Sequence, residues 1–61
     1  MTVKELVEKL GKCSPDATVC VEALNDALAN EVQEYIAKGV RYVYIADNLD
    51  YIDEVINGER V

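Results

Sequence analysis

The chain has 61 residues, twelve of them acidic against six basic, a net charge of −6, and neither histidine nor tryptophan. So acidic a surface repels phosphate backbones and anionic lipid, which argues against direct nucleic-acid or membrane binding and favours a basic protein as partner. The missing histidine removes the residue whose ordinary pKa suits proton shuttling near neutrality, and with it the commonest metal ligand. Both absences point away from an enzyme and from a metal cofactor.

A chain this short makes one domain, residues 1–61, and folding buries only roughly 60% of the surface that the unfolded chain exposes. A core so thin invites a staple or a second copy of the chain. Cys13 and Cys20 flank Ser14-Pro15-Asp16-Ala17 closely enough for a disulfide. No secretory signal precedes them, so the expectation is two reduced, packing thiols in a cytoplasmic protein. No apolar run approaches the ~20 residues needed to cross a bilayer.

In chain order, Thr2-Val3-Lys4-Glu5 has the form of a capping box, with Thr2 accepting from the Glu5 amide and Glu5 reaching back. Val3, Leu6, Val7 and Leu10 then fall on one stripe of a helix that ends at Gly11, and Ser14-Pro15-Asp16 prevents its resumption. The stretch from Thr18 to Ala23 reads as a strand, with Val19, Val21 and Ala23 on one face and Thr18, Cys20 and Glu22 on the other.

The middle supports two readings. Leu24, Ala27, Leu28, Val32, Tyr35 and Ile36 recur at helical spacing up to Gly39. Alternatively, Asn30 to Ala37 and Val40 to Asp47 are the arms of a hairpin about Lys38-Gly39. Val40 to Ala46, dense in β-branched and aromatic residues, is a strand on either reading. Asp47-Asn48-Leu49-Asp50 then caps a closing helix carrying Leu49, Ile52, Val55 and Ile56 and stopped by Asn57-Gly58. The fold expected is α+β: an N-terminal helix packed on a small sheet, with a short C-terminal helix. The alternative makes 24–38 a crossover helix, giving αβαβα with a parallel strand pair.

Three segments carry a resemblance: the helix opening Thr2-Val3-Lys4-Glu5-Leu6, the Pro15-Asp16-Ala17 corner leading into a strand, and the later strand Val43-Tyr44-Ile45. Together they resemble a group of small acidic proteins encoded by phages and prophages, over the first 23 residues and from Asn30 to Asp47. The resemblance implies an accessory or host-directed role and brings no catalytic residue with it. In that group the middle segment is strands joined by a turn, whereas Leu24 to Ala29 departs from the polar loop expected between them.

Two constellations are candidates for binding. Asp16, Glu22, Asp26, Glu31 and Glu34 form an acidic run with no compensating base, and Asp47, Asp50, Asp53, Glu54 and Glu59 form a second. Spaced carboxylates resemble nucleic-acid phosphates to a basic cleft, and Glu31, Glu34, Asp47, Asp50 and Asp53 are the residues expected to meet it. The plain alternative is a solubilising coat. Asp47 to Asp53 lacks the glycine and terminal glutamate of a calcium loop.

The second constellation is aromatic. With Val43 and Ile45 turned to a helix, Tyr42 and Tyr44 stand on the outer sheet face as an interface pair, suited to a homodimer. With both faces covered they are core instead. Neither cysteine has a base to activate it, and the three glycines lie at element ends. The expectation is a non-enzymatic acidic protein-binding module without cofactor, a phage-encoded inhibitor or adaptor acting on a host nucleic-acid-handling complex. The alternative is a structural homo-oligomeric module.

Overall fold

The computed structural model describes residues 1–22 and 29–61. Its elements are α1 (Val3–Leu10), β1 (Thr18–Glu22), β2 (Glu31–Ala37), β3 (Val40–Ala46), α2 (Leu49–Val55) and β4 (Glu59–Arg60). The fold is α+β: two helices and a mixed four-stranded sheet in the order β1-β3-β2-β4. Ala23, at the end of the expected first strand, lies outside the described residues. So do Leu24, Asn25, Asp26, Ala27 and Leu28 of the middle segment.

α1 starts where its capping box requires. The Glu5 amide donates to the Thr2 hydroxyl at 3.2 Å, and the Thr2 amide donates to the Glu5 carboxylate at 3.4 Å. Gly11 ends the helix in a right-handed conformation, φ −62°, so its freedom to take positive φ goes unused. The Lys12 and Cys13 amides, donating to the Lys9 and Leu10 carbonyls, carry the chain onward.

The crossover-helix reading fails over Glu31–Ala37, which is a strand. β2 runs antiparallel to β3 with Ala37 opposite Val40 and Glu31 opposite Ala46, joined by Lys38-Gly39. Those two residues have φ of +53° and +78°, the paired left-handed conformations of a tight hairpin turn whose twist matches that of the strands. The run Tyr35-Ile36-Ala37 lacks clean alternation because β2 is an inner strand, flanked by β3 and β4 and covered on both faces. Glu34 and Tyr35, which point to opposite faces, are both buried. One feature of the alternative is present: β1 pairs with β3 in parallel, Thr18 opposite Tyr42 through Glu22 opposite Ala46. β4, absent from the sequence reading, pairs Tyr35 with Arg60 and Ile36 with Glu59.

The register sorts the sheet into two faces. Val19, Val21, Val32, Glu34, Val43 and Ile45 share the first, over which α1 lies, Val3 and Leu6 forming a crevice with Ile45. Cys20, Gln33, Tyr35, Tyr42, Tyr44 and Ala46 share the second. There α2 brings Leu49 and Ile52 onto Tyr35 and Ala46, with Tyr44 and Ile56 at the margin of the cluster. Ile52 is 1% exposed, and burying it contributes roughly 1.5–3 kcal/mol. α1, by contrast, buries none of its residues.

Candidate protein-interaction site

Register decides which carboxylates meet. Ala46, at the end of β3, has Glu22 of β1 on one side and Glu31 of β2 on the other. Asp47 follows at once, and Asp50 stands in the first turn of α2, where a helix N-terminus favours negative charge. Asn48 caps that helix, its side chain accepting from the Asp50 amide at 2.8 Å. Glu31, Asp47, Asn48, Leu49, Asp50 and Arg60 line an open polar hollow of about 290 Å³. Glu22, Glu31 and Asp50 are exposed and Asp47 is half-buried. One end of the molecule is thus an acidic rim assembled from β1, β2, β3 and α2.

Glu34 and Asp53 belong to other places. Glu34, 6% exposed, lies on the α1 side of the sheet. Its Oε1 accepts from the Ser14 amide at 2.9 Å and its Oε2 from the Arg41 guanidinium at 2.8 Å. The Arg41 bond, then those from Ser14, hold its carboxyl below the usual glutamate range. Glu34 in turn assists burial, the larger cause, in pushing up the Cys13 thiol, which keeps that sulfur protonated. Asp53 is gripped by Arg60, Nε to Oδ1 at 3.0 Å and Nη2 to Oδ2 at 2.6 Å. It also accepts from the Tyr35 hydroxyl at 2.6 Å. Arg60 first, then Tyr35, lower the Asp53 carboxyl, while burial and the bond to Asp53 push the Tyr35 phenol up to about 12. Both carboxylates are latches: Glu34 ties the turn after α1 to the sheet, and Asp53 ties α2 to β2 and β4.

Tyr42 and Tyr44 lie together beside α2. Tyr44 packs edge-on against Tyr35, ring centroids 5.6 Å apart and planes at 88°, beside the core cluster. Burial, followed by the neighbouring Cys20, pushes its phenol up. Tyr42 stands 6.4 Å from Tyr44 and is half-buried, lining with Val40, Val55 and Ile56 an open groove of about 450 Å³. Of the two arrangements left open for the pair, the structure has the one in which a helix covers the tyrosine side, and that side holds the core cluster. Tyr51 is the tyrosine left half exposed.

Of the seven residues singled out from sequence, the structure brings together Glu31, Asp47 and Asp50. Glu34, Asp53, Tyr42 and Tyr44 stand apart from them. Arg60 and Ser14 take part in these arrangements and were not singled out, and Glu22, read only as a member of the first acidic run, is brought beside Ala46 by a register that no local pattern announces. Cys13 and Cys20 are free thiols. Among the described residues no group of three or more Cys, Asp or Glu is arranged to hold a metal ion, and no helix is long and apolar enough to cross a membrane. Comparison with models of protein families, with curated proteins and with solved structures gives no match to this chain.

Proposed function

We propose that the protein is a non-enzymatic binding module whose acidic rim docks on a basic protein surface. The observation that carries this reading is the register that sets Glu22 and Glu31 on either side of the Ala46-Asp47 strand end, with Asp50 beside them. Converging carboxylates on one end concentrate negative potential, which steers a basic partner and opposes a nucleic acid. The resemblance to small acidic phage proteins extends this to an inhibitor or adaptor, in the cytoplasm of a host, that occupies the basic cleft of a nucleic-acid-handling complex. Latched carboxylates such as Glu34 and Asp53 serve the fold and are the built-in controls.

The test starts from a basic partner captured from host lysate and identified by mass spectrometry, followed by association kinetics with the purified pair. The combined variant Glu31→Gln, Asp47→Asn, Asp50→Asn is expected to slow association by about tenfold, and a rise from low to physiological salt to do the same, with dissociation changing less. If the variant and a fivefold rise in salt both leave association unaltered, the rim is only a solubilising coat. A second reading, a structural homo-oligomeric module, rests on a different surface, the exposed valines of α1 and β1.

A further inference from the structure

β1 is the outermost strand of the sheet, and among the described residues no strand pairs with its outer edge. Natural edge strands are blunted by lysine, proline, bulges or brevity. The opposite edge follows that rule, since β4 is two residues long and both are charged. β1 does not: Thr18-Val19-Cys20-Val21 is a regular, uncharged stretch before Glu22. Its valines are open as well. Val19 is 55% and Val21 65% exposed, and on α1, which covers the same face, Val3 is 79% and Val7 63% exposed. The molecule exposes 4423 Å² for its 6.8 kDa, about a tenth more than the roughly 3,950 Å² of a compact monomer of that mass.

We propose that the protein forms a twofold dimer in which β1 pairs antiparallel with β1 of a second copy, the axis passing at Cys20. This inference is independent of the acidic-rim reading, since it uses another surface and needs no other protein. The sequence of β1 is complementary to itself in that register. Cys20 meets Cys20, each Val19 meets a Val21, and each Glu22 meets a Thr18, so that four valines form one cross-strand cluster and no like charges are opposed. A parallel arrangement would bring the two acidic rims side by side. The antiparallel one holds the two Glu22 residues, each two positions from the axis, about 13 Å apart along the strands, beyond the ~8 Å screening length at physiological salt. Eight strands then run as one sheet.

Register supplies the reporter. Directly opposed residues in an antiparallel pair have Cα atoms about 4.5 or 5.5 Å apart, within the range that a disulfide spans. Sedimentation in reductant at about 100 µM, well above the dissociation constant of a micromolar dimer, is expected to give the dimer mass. Mild oxidation with diamide is expected to link it covalently, in the Cys13→Ala variant as in the wild type and not in Cys20→Ala. Amide exchange within Thr18–Glu22 is expected to slow as concentration rises. Val21→Glu, a change at an exposed position that leaves the monomer fold intact by circular dichroism, is expected to give a monomer. A wild-type monomer at that concentration overturns the proposal. So does a dimer that survives Val21→Glu, or one linked through Cys13.

Discussion

Among the described residues, Lys38 is the one whose backbone conformation fits its side chain least. Its φ of +53° lies in the left-handed region, where an L-residue with a Cβ is disfavoured by roughly 1–2 kcal/mol and where asparagine is at home. Asn57, also at +53°, meets the same requirement with the better residue. Lys38→Asn creates the Asn-Gly pair that tight hairpins prefer, and nothing within 4 Å of a Cβ at Gly39 crowds the turn. The variant is expected to gain about 0.5–1 kcal/mol, read as a higher urea midpoint with an unchanged slope. A lower midpoint would mean that the lysine makes a compensating contact.

At the scale of elements, β4 is held by a close approach rather than by length. A Cβ on Gly58 would lie 2.5 Å from the Ile36 carbonyl oxygen and 2.8 Å from the Ala37 Cβ, so only glycine lets the chain come down beside β2 after α2. That approach sets Arg60 on Asp53, which also accepts from the hydroxyl of Tyr35, a residue 1% exposed in the core cluster. Gly58→Ala is expected to push β4 off the sheet and cost about 1–3 kcal/mol, the usual range for overpacking. Its signature beyond lost stability is an Asp53 carboxyl whose titration step moves up toward the ordinary 3.8, because Arg60 is the largest cause of its lowering. An unchanged step would mean that β4 stays in place and the backbone yields elsewhere.

For the whole molecule the issue is how a helix with no fully buried residue is kept on its sheet. The tie between α1 and the strands runs through Glu34, which accepts from Ser14 in the turn after the helix and from Arg41 on β3. Its carboxyl titrates below the ordinary 4.5 when folded, as the Asp53 carboxyl does below 3.8. The unfolded state therefore takes up these protons first. The stabilisation is complete above about pH 4.5 and is lost as pH falls through the folded values. Glu34→Gln is expected to be less stable than wild type at pH 7 and to converge with it in urea titrations as pH falls below 4.5 and through the folded Glu34 value. Curves that stay parallel across that interval would remove Glu34 as the acid-sensitive tie. Protonating the exposed carboxylates acts in the opposite sense, by relieving the repulsion of a −6 chain, but is common to both proteins and cancels in the difference.

Local chemistry was enough for the capping box of α1, the strands β1 and β3, the Lys38-Gly39 turn and the Asn48 cap of α2, because each depends on neighbours within a few residues. Local pattern left 31–37 open between helix and hairpin arm, since a strand covered on both faces carries no alternation to set against helical spacing. Sequence also determined that the chain is strongly acidic and without histidine, properties of composition that folding does not alter. Which carboxylates converge, which are latched, and which face Tyr44 occupies depended on strand order and register. Those are set by contacts between residues far apart in the chain: Glu22 and Glu31 become neighbours of one strand end only because β3 lies between β1 and β2, and Arg60 reaches Asp53 from a strand that Gly58 lets lie close to β2.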